Sequence, residues 1–185
     1  MSWFTTSTGE DVSKAGGSFE SAGGGAKFEP IPDGTTAVAF IEDAKWENAL
    51  NGEEIINVRW SIVSPGEYSN RKIFHKLWVE DLDTQTVARN GEQKAIEKRD
   101  RNKRMFVAID TNAGGKIVAS QKKPTDESMN EHWVNKMMQI KIGLIESKRD
   151  DGTMNRTNWI MSVSPKGGSS TAKPTKVLLD DEAPF

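Results

Sequence analysis

The chain has 185 residues, with 25 Lys and Arg against 27 Asp and Glu, and a net charge of -2. That length fits one domain with extensions, and the absence of cysteine excludes disulfides and thiolate metal sites within it. No run of 18 apolar residues marks a membrane-spanning helix. Met1-Ser2-Trp3-Phe4 lacks the basic and apolar regions of a secretory signal, so a cytoplasmic protein is expected.

Residues 1–30 hold Gly16-Gly17 and Gly23-Gly24-Gly25 among Ser and Thr, too little apolar surface to offset ordering entropy. They read as a flexible arm. Its aromatics Trp3, Phe4, Phe19 and Phe28 suit docking onto the core or contact with a neighbour. Strand patterns begin near Gly34. Residues 35–47 form the first, Asn51-Gly52 supplies a hairpin turn, and residues 54–63 form the second. A third strand is expected over 71–80, after the Ser64-Pro65-Gly66 break.

The pattern then turns helical. Glu92 to Ala108 forms one predicted helix, stopped at Asn112-Ala113-Gly114-Gly115. Asp126 to Met138 forms another, with Thr125 or Asp126 as its cap and Met129, Trp133 and Met137 on one stripe. Strands return over 138–147 and 156–163, joined by Asp150-Asp151-Gly152. Residues 166–175 have linker composition, and the chain closes on Asp180-Asp181-Glu182-Ala183-Pro184-Phe185.

Three strands, a helical connection and two strands match a mainly β fold: a five-stranded OB-type barrel. The domain spans residues 31–165, with a helical insertion at about 82–137 between the third and fourth strands and flexible termini.

Alternation along the third strand puts Ile73, His75, Leu77 and Val79 on one face, and Lys72, Phe74, Lys76 and Trp78 on the other. The second face interleaves rings with cations, the mixture that single-stranded nucleic acid needs: bases stack on rings while ammonium groups meet phosphates. Arg59 on the neighbouring strand extends it. The competing arrangement buries Phe74 and Trp78 under the inserted helices, leaving the lysines to snorkel. Trp46, Tyr68, Arg149 and Arg156, with Lys148, lie near loops or strand ends that border the groove of OB folds. Trp60, Trp133 and Trp159 fall on apolar faces and are expected in the core. Arg99, Arg101, Lys103 and Arg104 cluster in the insertion, as a phosphate patch or a solvated helix face.

The charges of the two terminal segments, removed from the totals, leave 20 cations and 20 anions in residues 31–165. A nucleic-acid surface must therefore arise from local clustering. The C-terminal tip is the sharper signal. Asp180, Asp181 and Glu182 offer steering toward basic partners, and Pro184 and Phe185 offer a ring beside the α-carboxylate.

The tip resembles that of bacterial single-stranded DNA-binding proteins, which typically ends Asp-Asp-Asp-Ile-Pro-Phe, with Glu182 and Ala183 replacing the third Asp and the Ile. The whole chain looks more like phage-encoded single-stranded DNA-binding proteins, in which a decorated OB fold carries an acidic tail ending in an aromatic. The resemblance implies sequence-independent single-stranded DNA binding during replication, recombination and repair. It also implies recruitment of partner proteins through Pro184 and Phe185, and for a phage protein the host cytoplasm. The alternatives are a single-stranded RNA-binding or RNA-chaperone OB protein, and an adaptor that binds no nucleic acid.

Catalytic signals are missing. His75 and His132 lack metal-ligand spacing, no phosphate loop is present, and no nucleophile–base pair stands out, so neither enzyme activity nor a cofactor or metal is expected. Asp81, Asp83 and Asp126 read as capping or solvated acids rather than a magnesium site.

Overall fold

The computed structural model describes residues 29–167. The Gly-rich N-terminal arm and the C-terminal linker and tip, with Asp180, Asp181, Glu182, Pro184 and Phe185, lie outside the described residues. In chain order the elements are β1 (Thr35–Asn48), β2 (Glu54–Ser64), a 3-10 turn (Gly66–Tyr68) and β3 (Lys72–Leu77). Helices α1 (Thr84–Asn90), α2 (Glu92–Ala113), α3 (Ile117–Ser120) and α4 (Asp126–Trp133) follow, then β4 (Met137–Lys148) and β5 (Met154–Pro165).

The five strands form one antiparallel sheet in the order β3-β2-β1-β4-β5. Its two hairpins turn where glycine is needed. Gly52 and Gly152 have φ of 89° and 83°, a region side chains disfavour, and each donates its N–H three residues back, to Ala49 and Arg149. β1 is the central strand. Its first half pairs with β4, and a bulge between Ile41 and Asp43 bends it so that its second half pairs with β2 alone. No ladder joins β3 to β5, so the sheet has two edges.

The insertion holds two more helices than the sequence pattern predicts. α1 has only seven residues, started by the Asp83 side chain, which accepts from the Gln85 N–H at 3.1 Å. α3 has four. α4 begins as expected, with a reciprocal capping box between Thr125 and Ser128. It stops at Trp133, so Met137 opens β4 and is exposed rather than on a helical stripe. β3 is shorter than the predicted 71–80, because the chain leaves the sheet after Leu77.

One hydrophobic core joins sheet and helices. Ile41, Val58, Trp60, Ile73, Leu77 and Ile140 meet Phe106, Ile109, Met129 and Trp133 there. Trp133 packs on Phe106 with ring centroids 4.7 Å apart. A single buried acid ties the helices together: Asp110 accepts from the Trp133 indole N–H at 2.9 Å and from the Val118 N–H at 3.0 Å. Asn158 on β5 clamps the incoming chain, accepting from the Ile31 N–H at 2.9 Å and donating to the Ile31 carbonyl at 2.8 Å.

Trp60 and Trp133 are fully buried, as their apolar faces predict. Trp159 is not in the core. Its neighbour Ile160 points inward opposite Ile142, so Trp159 faces outward across from Gly143. Its indole occupies the space a Cβ on Gly143 would need. An outward ring covering a mid-strand glycine is a recognised way to stabilise such a strand. Among the described residues, no helix is long and apolar enough to cross a membrane.

Candidate nucleic-acid interface

The alternation predicted for β3 holds from Lys72 to Leu77: Ile73, His75 and Leu77 are buried while Lys72, Phe74 and Lys76 are exposed; Trp78 and Val79 lie past the strand and are both half-buried. Pairing with β2 places Ser61 opposite Lys72, Arg59 opposite Phe74 and Asn57 opposite Lys76. Four of the predicted residues, Arg59, Lys72, Phe74 and Lys76, thus share one outward grid. At its centre, in the middle of the edge strand β3, Phe74 is 58% exposed.

The grid holds its own counter-charges, which the sequence did not single out. The β1 bulge brings Glu42 against two of its cations. Arg59 Nε lies 3.0 Å from Glu42 Oε2, and Lys72 Nζ donates to Glu42 Oε1 and, at 3.0 Å, to Ser61 Oγ. The Lys72 hydrogen bond, helped by the charges of Lys72 and Arg59, holds the Glu42 carboxyl below its ordinary range. Further along, Glu47 accepts from Asn57 at 2.9 Å and pairs with Lys45 at 3.1 Å, and its carboxyl is lowered by those contacts in that order. Lys76 forms no ion pair among the described residues, although its charge helps to lower the same Glu47 carboxyl.

The other predicted residues lie elsewhere. Trp78 follows the end of β3 and does not open out beside Phe74. It is half-buried, its indole N–H is buried without a hydrogen-bond partner among the described residues, and the Lys98 ammonium stands 4.1 Å from its ring centroid. Lys98 is held there by Asp83 at 2.5 Å. The helical insertion has therefore claimed Trp78 while leaving Phe74 free. Trp46 is committed too: its indole donates to the Pro124 carbonyl at 2.8 Å, and Asp126 takes its backbone N–H at 2.8 Å. Tyr68 lies in the 3-10 turn, half-buried, with the Arg71 guanidinium 5.7 Å from its ring centroid. Arg149 and Arg156 sit on the β4–β5 hairpin. Arg149 reaches Asn155 at 3.5 Å, and Arg156 pairs with Glu146 at 2.9 Å.

In the α2 cluster, Arg101, Lys103 and Arg104 are exposed and make no ion pair among the described residues. Arg99 is half-buried and donates to the Glu80 carbonyl at 3.5 Å. The candidate magnesium acids do not converge. Asp81 accepts from the Glu54 N–H, Asp83 caps α1, and Asp126 binds Trp46. Among the described residues no group of three or more His, Cys, Asp or Glu is placed to hold a metal ion. No protein-family model matches the chain, and no curated protein matches it, so the exposed ring and its flanking cations are what bear on function.

Proposed function

We propose that the chain binds single-stranded DNA without sequence preference and without catalysis, across the outer face of β1, β2 and β3, and that its five strands make a partly open OB-type barrel. Three features support the barrel. The strand order and the helices between β3 and β4 follow that topology. β3 and β5 approach within 8 Å, Cα to Cα, although no ladder joins them. Helix α2 touches both edges, bridging the seam. The observation that carries the binding reading is Phe74, exposed in mid-strand between Lys72 and Lys76 and opposite Arg59. A base can stack on such a ring while the ammonium groups meet the adjoining phosphates. The tip Asp180–Phe185 then serves partner proteins of replication and repair.

Fluorescence titration with an oligothymidylate tests this. Phe74→Ala should weaken binding by about 1–3 kcal/mol while leaving the fold intact, since the ring is exposed. Lys76→Ala should reduce the slope of log affinity against log salt by about 0.7. Unchanged affinity in a folded Phe74→Ala protein would remove the site from this face, and preference for an RNA of equal length would favour an RNA-binding role.

Glu42 makes a prediction of opposite sign. Phosphates must take Lys72 and Arg59 from this carboxylate, so it acts as a built-in competitor. Glu42→Gln should tighten DNA binding about two- to fivefold, the scale of an exposed ion pair, and should steepen the salt dependence. Weaker binding would mean that Glu42 orients the two cations for phosphate rather than competing with it.

A further inference from the structure

Of the chain's asparagines, only Asn51 and Asn90 are followed by glycine. The backbone nitrogen of the next residue can attack an asparagine carboxamide, and a side chain on that residue obstructs the approach. Glycine removes the obstruction. Beyond the adjoining residues, nothing lies within 4 Å of where a Cβ would sit on Gly52 or Gly91, so both nitrogens are accessible. The asparagines themselves differ. Asn90 ends α1, and a helical Cα–Cβ bond tilts toward the helix N-terminus, away from the Gly91 nitrogen. Asn51 stands exposed at the tip of the β1–β2 hairpin, free of that constraint.

Asn51 is also the outer link of a latch. Its Nδ2 donates to Thr84 Oγ1 at 2.8 Å, and Thr84 Oγ1 donates its own hydrogen to Glu53 Oε1. The Thr84 N–H donates to the same Glu53 oxygen at 3.0 Å. Glu53 is buried at the base of the turn, so the latch fastens the hairpin to the first residue of α1. The hydroxyl has one hydrogen, already committed to Glu53, so toward residue 51 it can only accept.

We propose that Asn51 is a site of spontaneous deamidation, and that loss of its amide releases the hairpin from α1. The Gly52 nitrogen attacks Asn51 Cγ and closes a succinimide ring. The Cγ–Nδ2 bond breaks, and ammonia leaves with the Gly52 amide proton. Water then opens the ring. Cleavage between Cγ and the Gly52 nitrogen gives aspartate; cleavage between that nitrogen and the main-chain carbonyl carbon gives isoaspartate, whose backbone runs through Cγ. Attack requires the Gly52 N–H to leave the Ala49 carbonyl, 2.9 Å away, so the rate follows fraying of the hairpin tip. Either product carries a carboxylate, which accepts and cannot donate. It faces Thr84 Oγ1, whose hydrogen stays on Glu53, with the Glu53 carboxylate beyond. A donor–acceptor contact becomes a repulsive one, and no step restores the amide. The hairpin thus carries a one-way charge switch, independent of nucleic-acid binding.

The test incubates the full chain in mildly alkaline buffer and follows the tryptic peptides 46–59 and 90–94 by mass spectrometry. Peptide 46–59 should convert from amide to acid faster than peptide 90–94, with fragmentation placing the change at residue 51 in both aspartate and isoaspartate forms. Asn51→Gln should abolish it, because the longer side chain must close a larger ring. Thr84→Val should speed it, because the carboxamide is then untethered. In the aged protein and in Asn51→Asp, an exposed position, the Val87 and Gly91 amides should lose exchange protection; they are bonded to the Asp83 and Val87 carbonyls of α1. Conversion confined to the unfolded chain, or faster at Asn90, would overturn the assignment of the site. Conversion at Asn51 with α1 fully protected would overturn the release.

Discussion

Asp110→Ala should lower the unfolding free energy by about 2–6 kcal/mol, measured by urea denaturation. The carboxylate is 2% exposed and is the acceptor for two N–H groups, the Trp133 indole and the Val118 backbone. Each buried donor left without an acceptor costs about 1–3 kcal/mol, and two lose theirs at once. Asp110→Asn keeps one carbonyl oxygen and should fall between wild type and alanine. Gly115→Ala offers an independent route to the same contact, because its Cβ would invade the Asp110 carboxylate. These variants should also loosen α3, whose Val118 N–H is one of the two donors. A loss below about 1 kcal/mol for Asp110→Ala would show that water replaces the carboxylate and that the hook is dispensable.

Acidification should destabilise the protein before its carboxylates titrate, and His75 is the cause. It lies on the inner face of β3, 8% exposed, with its Nδ1 buried and without a hydrogen-bond partner among the described residues. Burial alone pushes its pKa from 6.5 down to about 4. Between those values the unfolded chain binds a proton that the native protein refuses. The contribution of the neutral imidazole is therefore complete above pH 6.5 and is lost as pH falls toward 4, to a total on the order of 3 kcal/mol. The lowered carboxylates Glu42, Glu47, Glu53 and Asp83 act in the same direction, but only as pH approaches their ordinary range near 4. Urea midpoints at pH 7, 6 and 5 should thus fall in wild type and stay nearly level in His75→Leu. Parallel curves for the two would place the pH sensitivity elsewhere.

Local rules made much of this structure readable in advance. Asn51-Gly52 and Asp150-Asp151-Gly152 demand turns because of the backbone angles glycine supplies, whatever surrounds them. The period of two in β3 separates His75 from Phe74 without tertiary information. What escaped depends on breaks in that periodicity or on distant partners. Alternation along residues 156–163 puts Trp159 on the apolar face, but a register shift near Lys141 and Ile142 resets the phase along β5. The signal that could have placed it was Gly143, a mid-strand glycine in need of cover. Trp78 continues the β3 alternation on paper, yet the strand ends one residue earlier and α2 supplies Lys98. Trp46 looked like a groove aromatic because nothing nearby in sequence reveals its bond to Pro124, 78 residues on. Glu42 could not be linked to Lys72 and Arg59 without knowing the bulge in β1. The seven residues of α1 give too little periodicity to show, although Asp83-Thr84 announces its cap.

The bidentate grip of Asn158 on Ile31 spans 127 positions in the chain. β1, which follows directly, also depends on a strand about a hundred residues later. The earliest described segment therefore cannot settle until nearly the last strand has been made. During synthesis the β1–β2–β3 meander must wait at the ribosome with its inner face uncovered, and closure of the core becomes a late, slow, all-or-none event, as high contact order dictates.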